Sequence, residues 1–227
     1  MTRGAPETGD FASPRKCRPD GAAEAALQHR THPQAGLPGV ATQARFLDYV
    51  LRNPYNRALL ERMPALHLPD AWLAAGCLFQ TVWNLQDGRG AADGIKDYDL
   101  FYFDASDLSA DAEQAVCDRV ADQLGDLGVD IEVKNQARVH TWYRDCFGFD
   151  YPALRSAREG IDRFLVPCTA VGLQCAAGDA SPLLYAPYGL DDLYRGVLRR
   201  NPLCDHRRLF RHKAESYQAR WDWLQVR

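Results

Sequence analysis

The stretch "GIKDYDLFYFD", residues 94–104, constrains the fold of this chain more than any other. Its apolar and aromatic run reads as a strand, yet it begins with two carboxylates, Asp97 and Asp99, one residue apart. Strand residues alternate between faces, so Asp97, Asp99, Phe101 and Phe103 share one side, and Tyr98, Leu100 and Tyr102 share the other. Like charges two strand rises apart repel, and nothing in the local sequence offsets that repulsion. A strand of this kind needs a packed layer on its apolar side and a source of positive charge beside its acids.

The segments around it supply further elements. Phe46, Val50 and Leu51 form one apolar stripe of a helix starting near Thr42 and stopped at Asn53-Pro54. A second short helix is predicted over 55–63, ended by Pro64. In "HLPDAWLAAGCLFQTVWNLQDGRG", Pro69-Asp70 starts a short element that Gly76 breaks. A helix is predicted over 77–85, before a turn at 87–90. Ser109 reads as the N-cap of a helix carrying Ala112, Val116, Val120 and Leu124 at four-residue spacing, ending around 125–128. "GVDIEVKNQ" follows as a period-2 strand, with Val129, Ile131 and Val133 on one face and Asp130, Glu132 and Lys134 on the other. Residues 140–187 carry aromatic-rich stretches, several prolines and a weak strand near 170–173. Two helices are predicted to close the chain, over 190–199 and 206–223, separated by Asn201-Pro202. The order of these elements predicts an α+β domain with a helical C-terminal portion. Residues 1–38, rich in Gly, Pro, Ala and charge, read as a disordered leader, and 39–227 as the domain.

Composition narrows the function classes. The 227 residues suffice for one sizeable domain, and the hydrophobic and charged shares, 46% and 25%, are those of an ordinary globular protein. No apolar run reaches the length of a membrane span, so a cytoplasmic protein is expected. The seven cysteines form no C-x-x-C pair, which argues against a zinc knuckle or a disulfide framework. His206 and His212 lack metal-ligand spacing, and His140 is read as structural. A net charge of −3 argues against a general nucleic-acid coat protein. The charge is uneven, however. Residues 195–227 hold nine Lys/Arg against three Asp/Glu, read here as a solvated helical face. Nucleic acid is thus possible as a partner but not favoured.

Two hard oxygen donors on one strand face suit Mg²⁺ or Mn²⁺. Glu132 is the candidate third acid and Asp130 the fallback, because strand parity places both on the same face. Gly76, at a helix start, lets backbone amides approach a phosphate where the helix dipole favours negative charge. Lys134 and Arg138 are candidate partners of a triphosphate; surface ion pairing is the competing role for both. Cys77 is read as a small buried residue, although a helix start can lower a thiol pKa. The Trp residues are read as packing groups.

"AAGCLFQTVWN", "GIKDYDLFYFD", "EVKNQARVH" and "PYGLDDLYRGVLRRNP" together resemble the blocks of a bacterial family of nucleotidyltransferase-like proteins. That family lies within the polymerase-beta-type nucleotidyltransferase superfamily. The resemblance runs over residues 42–224. It implies a mixed sheet flanked by helices, Asp97 and Asp99 as metal ligands, Glu132 as the third acid, and phosphate contacts around Gly76. It further implies transfer of an NMP group from an NTP such as ATP to an acceptor, which the sequence does not name. One departure is Gly76-Cys77, where many superfamily members have Gly-Ser or Gly-Gly; the serine hydroxyl is absent. The alternative expectation is a degenerate fold that binds nucleotide or a partner without turnover.

Overall fold

The computed structural model describes residues 43–176, 178, 181–204 and 206–227. The expected leader, residues 1–38, lies outside them.

The chain opens with α1 (Gln43–Val50), which buries Phe46 and Val50. Asn53 caps α2 (Pro54–Arg62) by accepting from the Tyr55 amide, and Pro54 occupies the first turn, where its missing N–H costs nothing. The residues before Gly76 are a strand, β1 (Trp72–Ala74), and α3 (Gly76–Gln86) follows at once. From Gly76 to Asn84 every residue of α3 is buried, so it runs through the centre of the domain. The predicted acidic strand is β2 (Asp97–Tyr102). Ser109 accepts from the Ala112 amide to start α4 (Ala110–Leu124), which returns the chain to β3 (Asp130–Asn135).

Residues 139–185, which carry no clean period, fold as α5 (Val139–Phe147), α6 (Ala157–Asp162), β4 (Gly172–Gln174) and β5 (Leu183–Tyr185). The C-terminal portion departs from the two helices expected. The first, α7, covers only Asp191–Arg195 and stops at Gly196, whose φ of 65° is left-handed. A Cβ there would lie 2.3 Å from the Trp223 ring, so the close packing that ends the helix requires glycine. The chain turns into β6 (Val197–Leu198), which pairs in parallel with β7 (Gln225–Val226) after α8 (Arg207–Arg220).

The main sheet has five strands in the order β3-β2-β1-β4-β5, with only β2 and β3 parallel. Both faces are covered. The larger core takes Tyr98, Leu100, Tyr102, Val133 and Leu173 from the sheet and packs them against the helices that carry Phe46, Leu59, Phe79, Trp83, Val120 and Tyr217. The smaller core lies on the opposite face, where Trp72, Ala74 and Phe101 meet Val139, Trp142, Ile161 and Phe164 of the α5–α6 region. The alternation read from β2 therefore holds on both sides. Trp72, Trp83, Trp142 and Trp221 are all buried, as packing groups should be.

Candidate active site

The acids of β2 lie on the face of the smaller core, two and four residues ahead of Phe101. Parallel pairing sets Asp99 beside Glu132 and Asp97 beside Asp130. Paired residues on adjacent strands point the same way at a strand spacing of about 4.8 Å, so four carboxylates form two rungs on one face. The rungs differ in environment. Asp99 is 0% exposed and Glu132 is 7% exposed. Asp97 is half-buried and Asp130 exposed, which puts the outer rung at the opening toward solvent. The structure thus brings together the three expected acids, and it places Asp130 at their rim.

The first positive charge at the inner rung comes from the same strand. Lys134 Nζ lies 3.3 Å from Glu132 Oε1, and both side chains are buried. Lys134 therefore neutralises Glu132 in this state. Among the described residues no group of three or more His, Cys, Asp and Glu is gathered as a ready metal site. In donor chemistry the rungs nevertheless fit a hard divalent cation, since they offer only carboxylate oxygens and hold more negative charge than one ammonium offsets.

The start of α3 stands next to the acids, because Ala74, two residues before Gly76, pairs with Asp99 across the β1–β2 ladder. Ala75 links strand to helix with φ 58° and ψ −129°, a conformation that costs a residue bearing Cβ of order 1–3 kcal/mol. It offers no side-chain cap to the first turn of α3. A helix start held in a strained turn, uncapped and beside acids, presents its first-turn amides and the positive end of its dipole at the acid rungs.

Cys77 is buried in this turn and donates its S–H to the Ala74 carbonyl at 3.3 Å. Burial pushes its thiol well above the ordinary range, and the neighbouring Asp99 and Asp97 push in the same direction. Desolvation outweighs the helix start and favours the protonated thiol over the thiolate. Burial also raises Cys168 and Tyr98, each to about 12. These groups stay neutral in the folded protein after their unfolded counterparts have begun to ionise. Stability is therefore full below about pH 8.5 and is lost as pH rises toward the folded values. Melting temperature should fall from about pH 9 upward, and Cys77→Ser should flatten the first part of that limb. Alkylation of Cys77 in the native protein at pH 8, at the rate of a free thiol, would refute the assignment.

Arg138 is not carried to the acids. It follows the far end of β3, where it pairs with Glu113 of α4 and donates to the Leu108 carbonyl at 3.2 Å. Beside it, Asn135 accepts from the Asp104 and Ala137 amides, both at 3.0 Å, and donates to the Asp104 carbonyl. That network joins the ends of β2 and β3 and holds their register.

One cation near the site has no sequence signal. Arg220, at the end of α8, donates from Nη1 to Gln80 Oε1 at 2.7 Å, one helical turn beyond Gly76. Its guanidinium stacks 4.1 Å from the Trp221 ring centre and lies against Gly94, on the approach to β2. Only the packing of α8 on α3 brings these positions together.

A family profile described as nucleotidyltransferase matches residues 61–226. Among solved structures, an NMR structure described as revealing a CCA-adding enzyme head domain is similar to this chain. The two share 25% identity and a TM-score of 0.67, over 82% of this chain and 96% of that one. No match was found among curated proteins.

Proposed function

The chain belongs to the nucleotidyltransferase family, and on that premise we propose that it moves a nucleoside monophosphate from an NTP to an acceptor hydroxyl. The observation that carries this reading is the buried Asp99–Glu132 rung beside the uncapped, strained start of α3. Asp97 and Asp99 would hold Mg²⁺ or Mn²⁺, with Glu132 as the third acid. A divalent cation held by them would supply Lewis-acid stabilisation of the negative charge that develops in the transfer.

The rest falls to this chain's own groups. The first-turn amides of α3 receive the phosphates, and Arg220, anchored on Gln80, adds positive charge beside them. In the transfer, a bond forms between the acceptor oxygen and the α-phosphorus while the bond to the β-phosphate oxygen breaks. Pyrophosphate leaves, and the hydroxyl proton passes to Glu132. Catalysis is positioning and electrostatics, with no covalent enzyme intermediate.

Thermal shift with nucleotide tests the site directly. Without a cation the acids and a triphosphate repel, so NTP with EDTA should not change the melting temperature. For a dissociation constant of roughly 100 μM, about 1 mM Mg–NTP stabilises the folded state by about 1.4 kcal/mol. That corresponds to a rise of roughly 3–6 °C for a domain of this size. A rise that survives EDTA would place the nucleotide elsewhere.

The Lys134–Glu132 pair supports a second reading, in which the fold binds nucleotide or a partner without turnover. Pyrophosphate release separates the two. A thermal shift with every NTP tried, without pyrophosphate release in the presence of cell extract, favours the second.

A further inference from the structure

Away from the acids, α8 forms one wall of a groove of about 480 Å³. Arg207 and Arg211, one turn apart on the helix, line it together with Arg200 and Arg227 from the segments adjoining β6 and β7. Glu215 and Gln218 line it as well, over an apolar floor that includes Phe210. Residues scattered over 28 positions of sequence, from 200 to 227, are thus gathered around one concavity whose lining, among the described residues, holds four guanidinium groups and one side-chain carboxylate. Arginines on the solvated face of an ordinary helix would spread apart; here the β6–β7 pairing folds two more of them against the helix. The first turn of α8 contains no acid and has no side-chain cap, so Arg207 and its neighbours stand at the positive end of the dipole.

We propose that this groove binds the phosphodiester backbone of a single-stranded RNA that serves as the acceptor. The proposal rests on the nucleotidyl-transfer reading of the acid site. Guanidinium groups pair with successive phosphates in forked geometry. Glu215 selects within the polyanions. Its carboxylate accepts hydrogen bonds from ribose 2′-hydroxyls, which neither DNA nor an acidic peptide offers. The groove is also joined to the acid site. α8 is about 20 Å long, and its far end is fastened to α3 through the Arg220–Gln80 hydrogen bond. One rigid helix therefore sets the distance from backbone contact to reaction centre.

The test is fluorescence anisotropy of a labelled 12-nucleotide RNA with the full chain, titrated with KCl. About four neutralised phosphates predict a log–log salt slope of roughly −3. Arg207→Gln/Arg211→Gln should bind at least about 10-fold more weakly, with the slope reduced by about 1.4. Both side chains are exposed, so this variant should melt with the wild type. DNA of the same sequence should bind more weakly than RNA, and Glu215→Ala should erase that difference. Unchanged affinity and slope in the double variant would overturn the proposal, as would equal competition by a poly-glutamate peptide. A Mg–NTP thermal shift on the same preparation keeps the two readings apart. A shift without RNA binding removes the RNA acceptor and leaves nucleotidyl transfer standing. RNA binding without a shift overturns nucleotidyl transfer, and the acceptor role with it.

Discussion

Asp99→Asn is expected to lower metal-dependent turnover by at least ~100-fold, the scale of a principal electrostatic contributor, while the protein melts at the same temperature or a few degrees higher. The two effects have one origin. Asp99 is fully buried and stands beside Glu132, with Asp97 and Asp130 on the next rung. Removing one of these charges relieves repulsion and desolvation in the metal-free protein, and the amide keeps the size of the side chain. On the proposed reading, the same charge seats the cation. Asp97→Asn should match the loss in rate with a smaller gain in stability, because Asp97 is partly exposed. Glu132→Gln should cost more activity than Asp130→Asn, which changes a group at the exposed rim. Pyrophosphate release and melting curves on the purified variants supply both readouts. Near wild-type turnover in Asp99→Asn would dismiss the metal-site assignment, and unfolding would show that the carboxylate is structural.

The second large effect is on stability. Lys134→Met leaves the Glu132 carboxylate buried beside Asp99 without its ammonium partner. Breaking a buried pair from one side costs about 3–5 kcal/mol, or a fall in melting temperature on the order of 10 °C for a domain of this size. Glu132→Gln on top of Lys134→Met should recover most of that loss, because the buried carboxylate that lost its ammonium partner is then neutral as well. Added Mg²⁺ should also raise the melting temperature of Lys134→Met more than that of the wild type, since the inner rung then carries one positive charge fewer. A single variant that melts within about 2 °C of wild type would mean that Lys134 is not the counter-ion of the acids.

Much of the domain was legible in the chain. The period-2 runs of β2 and β3, and the four-residue spacing of α4 behind the Ser109 cap, depend on neighbours a few residues apart. The division of β2 into an acid-bearing face and a Tyr98, Leu100, Tyr102 face follows from the same alternation. Gly76 was legible as a helix start because glycine there breaks the short element before it and a helical run follows. In residues 140–187 only the weak strand near 170–173 was legible, and it is β4; α5, α6 and β5 were not, because they are short and take their order from the core they cover. The final helices were overextended for a related reason. Local pattern allows α7 to continue, but contact of Gly196 with Trp223 and the pairing of β6 with β7 stop it.

By itself, then, the sequence determined which side chains share a face: Asp97 with Asp99, and Asp130 with Glu132. It did not determine which acid faces which. Sliding β3 by two residues along β2 keeps every side chain on its face, so hydrophobic patterning is blind to that shift. The parallel ladder that sets Asp99 beside Glu132 is selected by the return path through α4 and by the Asn135 network at the strand ends. The Arg220–Gln80 contact and the four-arginine groove were likewise decided only by tertiary packing. Periodicity reports the direction a side chain points within its own element. The partner it meets depends on how distant elements dock, and that is set by the whole buried core rather than by any local run.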